Sequence, residues 1–219
     1  MIPRLHLLTN DELLADEGLA RRAAALLARG GSRLAFHLRG PRTSGRHLHD
    51  LGVALADLAD ASGAQLMVND RVDVALALRR SVSGGGRSAP GVHLGGRSLP
   101  PAEARAMLGD EVLLGQSIHG EGETTGEDLD YLMVGTIYRS GSHPGREPAG
   151  PGRVERLAGA QGIPLLAVGG VTPERVGELR SAGAHGVAVI RGIWGAPDPA
   201  HALDRYLTAL ETDSREDLR

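Results

Sequence analysis

Short aliphatic runs recur along the chain, and longer stretches with helical spacing of their apolar residues separate them. Several runs lack the alternation of apolar and polar residues that a half-exposed strand shows, which is typical of parallel strands buried on both faces. Eight runs fit this description and predict strands at residues 5–8, 34–38, 65–68, 91–94, 112–115, 131–135, 165–168 and 187–190.

The intervening stretches predict helices at residues 12–28, 45–61, 72–80, 101–108, 153–160, 173–182 and 199–210, with a short one near Glu121. Eight strands with covering helices are compatible with a closed barrel or a doubly wound open sheet. We expect an α/β fold of the (β/α)8 TIM-barrel type, in one domain over residues 1–219. This choice depends on the strand count, the glycine turns and the resemblance described below. Residues 82–90 and 139–152 are predicted flexible loops, and the second, which follows a strand, is a candidate lid.

Composition narrows the possible partners. Hydrophobic residues make up 41% of the chain and aromatic residues 2%, so the core must be aliphatic. The net charge is -3 and no basic cluster alternates with aromatic residues, which argues against nucleic acid and leaves a small anionic ligand. Without cysteine, disulfides and thiolate chemistry are excluded. No apolar run approaches the roughly 18 residues of a membrane span, so we expect a cytoplasmic protein without a membrane partner, with a homo-oligomer left open.

In a barrel, residues at the C-terminal ends of the strands converge on one mouth. His37 and His93 alternate with aliphatic residues inside strands, so each ring points either into the barrel or outwards. His119 and His143 follow strand ends and are the candidate acid/base catalysts, since imidazole exchanges protons near neutral pH. The candidate substrate-binding residues at this mouth are Arg39, Asn69, Ser117, Thr136 and Ser142.

Two turns late in the chain predict a phosphate site. The segment LLAVGGVTPERV places Gly169 and Gly170 directly after a strand, where backbone N–H groups can approach a phosphate without a Cβ in the way. The segment VAVIRGIWG provides the companion turn, with Ile190, Arg191 and Gly192. Barrel enzymes frequently bind phosphate after strands seven and eight. The alternative is that these glycines serve only the tight turns.

Asp70, in VNDRVD, is the carboxylate expected at the mouth. A magnesium-pyrophosphate site generally needs more than one anionic oxygen ligand beside the phosphates. The next turn reads GVHLGGRSLP and offers Arg97 and Ser98, but no carboxylate. The alternative role for Asp70 is a cap, or a salt-bridge partner of Arg71 or of a neighbouring residue at the mouth.

The segments FHLRGPR, VNDRVDVALAL, GVHLGGRSLP, GQSIH, YLMVGTIYRSGSHPG, PLLAVGGVTPERV and GAHGVAVIRGIW occur in this order over nearly the whole chain. Together they resemble the thiamine phosphate synthase/TenI superfamily, which implies a barrel that acts on a thiazole ethyl phosphate. The synthases carry magnesium-binding aspartates in their ND and GVHLGQxD segments. Here Asp70 matches the first and Ser98 replaces the second. The lysines that the resemblance implies are replaced by Pro41 or Arg42, and by His143.

The segment LGGRSL is similar to the TenI branch, whose characterised members aromatise a thiazole tautomer by moving a proton. The resemblance therefore predicts a metal-independent thiazole tautomerase without a cofactor, with His143 or His119 shuttling the proton and Arg39 orienting the ligand carboxylate. Thr136 departs from the branch, which can place a histidine there. One alternative is a thiamine phosphate synthase that uses Asp70 and Mg2+. Another is a noncatalytic barrel that binds thiamine or its thiazole phosphate.

Overall fold

The strands form a closed parallel barrel. A computed structural model describes residues 1–82, 89–118, 128–141, 145 and 147–212. Each strand pairs with the next in sequence, and the last pairs with the first, which confirms the expected TIM barrel. The strands are β1 (Leu5–Leu8), β2 (Leu34–Leu38), β3 (Gln65–Asn69), β4 (Gly91–Leu94), β5 (Leu114–Ile118), β6 (Tyr131–Val134), β7 (Leu165–Val168) and β8 (Gly186–Val189).

The helices follow the strands along the described part of the chain. They are α1 (Asp11–Leu14), α2 (Leu19–Gly30), α3 (Gly45–Ser62), α4 (Val72–Val82), α5 (Pro101–Leu108), α6 (Pro151–Gln161), α7 (Val176–Ser181), α8 (Arg191–Trp194) and α9 (Pro199–Glu211). Short 3-10 turns cover Gly31–Arg33 and Pro173–Arg175. In these ranges no helix has both the length and the apolar character needed to cross a membrane.

Local chemistry explains where several helices begin and end. Ser44 accepts a hydrogen bond from the His47 N–H at the start of α3, and Gly63 ends that helix with a left-handed φ of 77°. Asp198 caps α9 in the same way as Ser44 caps α3. The predicted first helix is divided into α1 and α2, because the Asp16 side chain accepts from the Gly18 N–H and competes with helical bonding.

Two other elements differ from the predictions, and one prediction stays untested. β5 begins at Leu114, two residues later than predicted, and extends to Ile118 in register with β6. The four-residue α8 was not predicted, because so short a segment has no hydrophobic period to recognise. The short helix expected near Glu121 lies outside the described residues.

The side chains divide between two cores, because successive residues of a strand point to opposite faces. The larger core lies between the barrel and its helices. The barrel interior holds a smaller apolar cluster of Leu8, Ala35, Met67, Tyr131, Met133, Leu166 and Ala188. His6, His37 and Asn69 lie two positions from members of this cluster on β1, β2 and β3, and all three are buried. The interior is therefore partly polar.

Candidate active site

Four of the predicted substrate-binding residues lie at or just after the C-terminal ends of their strands. Asn69 ends β3 and Ser117 is the penultimate residue of β5, whereas Arg39 and Thr136 follow β2 and β6. Asn69 and Thr136 are buried, and Arg39 and Ser117 are partly exposed. The barrel topology places these side chains around one mouth. Their roles in binding remain predictions.

The two predicted acid/base residues and one predicted substrate-binding residue are not among the described residues. His119, Ser142 and His143 lie outside the described residues, so their proposed roles stay predictions. The alternatives for His37 and His93 are resolved, because both rings point into the barrel and are buried.

A chain of hydrogen-bonding groups crosses the barrel interior from its N-terminal end to the mouth. His6 Nε2 lies 3.1 Å from the Pro3 carbonyl oxygen, and His6 Nδ1 lies 2.8 Å from His37 Nε2. His37 Nδ1 then lies 2.8 Å from the Asn69 side chain. Burial lowers the pKa of His6 well below its usual value, and the neighbouring His37 is the second largest cause of this shift. Burial likewise lowers the pKa of His37 to about 4, so both rings are neutral at pH 7.

A second interior chain leads to Ser117. His93 Nδ1 lies 3.0 Å from the Tyr131 hydroxyl, and His93 Nε2 lies 2.8 Å from Ser117 Oγ. Burial raises the pKa of Tyr131 well above its usual value, which keeps the phenol protonated. The sequence analysis did not identify Tyr131 or His6 as part of the site. The signal available was a polar group at an inward position of a strand, which becomes meaningful only once the neighbouring strands are known.

Asp70 follows β3 in a left-handed conformation, with a φ of 64° that is uncommon for a residue other than glycine. Its Oδ1 accepts hydrogen bonds from the Ser98 hydroxyl at 2.6 Å and from the Gly95 N–H at 2.9 Å. The suggestion that Asp70 pairs with Arg71 is wrong, because Arg71 binds Asp73 instead, at 2.6 Å. Asp70 therefore joins the loops after β3 and β4.

At the loops after β3 and β4, the side-chain oxygens of Asp70 and Ser98 are the atoms that could coordinate a metal ion. Within the described ranges, no cluster of three or more His, Cys, Asp or Glu side chains could hold a metal ion. Both hydrogen bonds to Asp70 use Oδ1, so Oδ2 remains outside them. A carboxylate next to a hydroxyl is a hard oxygen pair, which suits Mg2+ when substrate phosphates complete the coordination.

The turn after β7 needs its two glycines. Gly169 and Gly170 have φ values of 99° and 63°. A Cβ on Gly169 would lie 2.5 Å from Thr136 Cγ2, and one on Gly170 would lie 2.9 Å from Tyr138 Cβ. The glycines therefore serve close packing, as the alternative required, and this does not exclude phosphate binding.

The turn after β8 is tied to the turn after β7. Gly192 lies against Tyr206, such that a Cβ would sit 3.0 Å from Tyr206 Cζ. The Tyr206 hydroxyl donates to the Val171 carbonyl at 2.9 Å, directly after the two glycines. The exposed Arg191 places its guanidinium against the backbone of Gly141 in the loop after β6. The two turns are thus neighbours, with a cation beside them.

Tyr138 fixes the start of the loop after β6. Its hydroxyl donates to Glu178 at 2.6 Å, and the Arg175 guanidinium lies 4.2 Å from its ring centroid. Burial, followed by the hydrogen bond to Glu178, raises the pKa of Tyr138 to about 12. Arg175 also donates to the Gly170 carbonyl at 2.7 Å. These contacts hold Tyr138, the residue directly before the predicted lid, beside the glycine turn.

Comparison with known proteins identifies the family. The family model described as thiamine monophosphate synthase matches residues 5–193. The chain belongs to this family. Thiamine-phosphate synthase from Natronomonas pharaonis is 35% identical over 215 residues, which cover 94% of each chain. The enzyme of the same name from Salinispora arenicola is 37% identical over 213 residues, covering 94% of this chain and 97% of that one.

A solved structure supports the fold. Thiamine phosphate pyrophosphorylase from Pyrococcus furiosus superimposes with a TM-score of 0.76 over 95% of both chains, at 24% identity. At this identity the likeness bears on the fold alone, and it agrees with the closed barrel of this family member.

The relatives correct the expected reaction. The expectation of a metal-independent thiazole tautomerase is wrong, because relatives that are 34–37% identical over most of the chain carry the name thiamine-phosphate synthase. The tautomerase prediction depended on the LGGRSL segment and on a few departures from the synthase pattern, whereas the likeness to synthases extends along both chains. The broader expectation of a thiamine-biosynthesis enzyme is confirmed.

Proposed function

We propose that this protein is a thiamine-phosphate synthase, which joins hydroxymethylpyrimidine pyrophosphate to a thiazole ethyl phosphate. The likeness to synthases over 94% of the chain carries the proposal. In this reaction the thiazole nitrogen bonds to the methylene carbon of the pyrimidine. The bond from that carbon to pyrophosphate breaks, and its electron pair leaves with the pyrophosphate. The enzyme must hold the two substrates in line and stabilise the charge on the leaving group.

The two glycine turns are the proposed site of the thiazole phosphate. Gly169 and Gly170 offer backbone N–H groups, and the segment from Ile190 to Gly192 offers more at the start of α8. The Arg191 guanidinium beside them adds a positive charge to balance the dianion. The other side of the mouth, with Asn69 and Ser117, is left for the pyrimidine substrate.

The pyrophosphate is assigned to the side of the mouth where Asp70 lies. The Asp70 carboxylate and the Ser98 hydroxyl would hold Mg2+ together with pyrophosphate oxygens, since one or two carboxylates with substrate phosphates is a usual magnesium environment. When bound, the ion would neutralise the charge of the leaving group. Arg39, partly exposed after β2, adds a cation at the same mouth.

The test is to mix the purified protein with both substrates and Mg2+ and to follow pyrophosphate and thiamine phosphate together. We expect equal amounts of the two products, and none when the thiazole phosphate is omitted. The Asp70→Asn variant keeps an acceptor for Gly95 and Ser98 but removes the charge, so its rate should fall about 100-fold. A folded protein that releases no pyrophosphate with both substrates would contradict the proposal, and release without the thiazole would indicate a hydrolase.

A further inference from the structure

The interior chain from Pro3 to Asn69 contains more hydrogen bonds than neutral histidines can supply with protons. It has three contacts, at 3.1 Å, 2.8 Å and 2.8 Å. Its ends are the Pro3 carbonyl and the Asn69 Oδ1, and both can only accept. Each neutral imidazole carries one N–H, so His6 and His37 together provide two protons for three bonds. Either the pair carries an additional proton, or Asn69 turns its amino group towards His37.

Burial decides between these possibilities. His6 and His37 are both fully buried, with ring centroids 5.0 Å apart. A positive charge on either ring would therefore have no water molecules around it to stabilise it. The groups that face them from other strands are His93, 5.7 Å from His37, and Tyr131, 5.1 Å from His6, and neither is an anion that could balance a charge. Arg39 disfavours a second cation at His37. Rotating an amide exchanges two atoms of nearly equal size and creates no charge.

The proton positions on His6 and His37 follow from the Pro3 carbonyl, which can only accept a hydrogen bond. The Pro3 carbonyl requires the His6 Nε2–H to donate, which leaves His6 Nδ1 as an acceptor. His6 Nδ1 therefore receives the His37 Nε2–H, and His37 Nδ1 becomes an acceptor in turn. The group that satisfies His37 Nδ1 is the amino group of Asn69.

We propose that His6 and His37 are positioning residues that hold Asn69 with its amino group towards His37 and its carbonyl oxygen towards the mouth. Asn69 then accepts a hydrogen bond from a ligand N–H, such as the ring amine of an aminopyrimidine, and disfavours a ligand that presents only acceptors there. The proposal rests on the proposed synthase function only for the identity of that ligand. The orientation itself is a property of the free protein.

Nitrogen-15 NMR of the histidine rings tests the orientation without any substrate. Long-range proton–nitrogen correlations at pH 7 should show His6 and His37 neutral, each with its proton on Nε2. A proton on His37 Nδ1, or on both of its nitrogens, would overturn the proposal. Because no turnover is measured, this result is independent of whether the protein makes thiamine phosphate.

Two substitutions of His37 test the consequence for binding. His37→Gln can still accept from Asn69 through its carbonyl and donate to His6 through its amino group, so KM for the pyrimidine pyrophosphate should stay near that of the wild type. His37→Leu removes both bonds, and KM should rise about tenfold with a smaller change in kcat. His201→Gln, an exposed change on α9, is the matched control. Equal KM values for the Leu and Gln variants would refute the positioning role, and the NMR result decides if His37→Leu does not fold.

Discussion

The Tyr131 ring lies over the backbone of Gly115, so one added methyl group at residue 115 should disturb the barrel interior. A Cβ there would lie 2.5 Å or less from the Cζ, Cε1 and Cε2 atoms of the ring. The ring has no room to yield, because it is fully buried, stacks on His93 at 5.6 Å and bonds to it through its hydroxyl. Since His93 also contacts Ser117, the disturbance should reach the mouth.

The size of the effect follows from three contributions. Forcing extra volume into a packed interior costs about 1–3 kcal/mol. Separating the Tyr131 hydroxyl from His93 Nδ1 breaks a buried hydrogen bond and leaves both groups unsatisfied, which costs about 1–3 kcal/mol. Replacing glycine with alanine lowers the conformational entropy of the unfolded chain, which stabilises the folded protein by about 0.4–1 kcal/mol. The net expectation for Gly115→Ala is a loss of about 3 kcal/mol, or a fall in Tm of about 6–12 °C for a chain of this length.

Urea and thermal unfolding followed by circular dichroism would measure this loss. Gly159→Ala in α6 is the control, because a Cβ there meets no atom within 4 Å and alanine favours the helix by about 0.5–1 kcal/mol. Repeating Gly115→Ala in a Tyr131→Leu background should cost less, since the ring that obstructs the methyl group is gone. A Gly115→Ala protein within 0.5 kcal/mol of wild type, or an equal cost in both backgrounds, would refute the steric argument.

Three further predictions concern pH, the metal and the phosphate. Burial keeps the pKa of His37 at about 4, whereas the ring in the unfolded chain titrates near 6.5, so the unfolded chain binds more protons between these values. The free energy of unfolding should therefore fall by about 2 kcal/mol from pH 7 to pH 5. Urea titrations at the two pH values would measure this fall, which should be smaller in His37→Gln. Ser98→Asp places a second carboxylate beside Asp70, so Tm measured in EDTA should be lower than that of the wild type. The Mg2+ concentration that gives half of the maximal activity should fall about tenfold. An unchanged Mg2+ dependence would contradict the proposed metal site. Gly170→Ala should raise KM for the thiazole phosphate, measured against Gly177→Ala, where a Cβ meets nothing.

Much of the fold could be predicted from the sequence. Parallel strands buried on both faces appear as short aliphatic runs, and six of the eight strands begin and end as predicted or differ by one residue at one end. The mouth residues could be named because the carboxyl ends of barrel strands meet at one end whatever the details of packing. The helix boundaries were less certain, since a single side chain such as Asp16 can interrupt a helix.

The reaction could not be derived from one motif. The LGGRSL loop suggested the TenI branch, yet similarity along the whole chain supports the synthases. A loop segment lacking one carboxylate carries little information when a hydroxyl at the same place, Ser98, still contacts Asp70.

What the sequence by itself determined is the alternation of eight buried strands and their covering helices, which together with the glycine turns and the family resemblance predicted a barrel with polar residues at one mouth. Only the tertiary structure decided which polar groups meet inside it. His6 and His37 are 31 residues apart, and His93 and Tyr131 are 38 apart. Their contacts depend on the register of neighbouring strands and on which face of each strand turns inwards. A shift of one residue in a strand would exchange the two faces, so these pairs exist only once the barrel has closed.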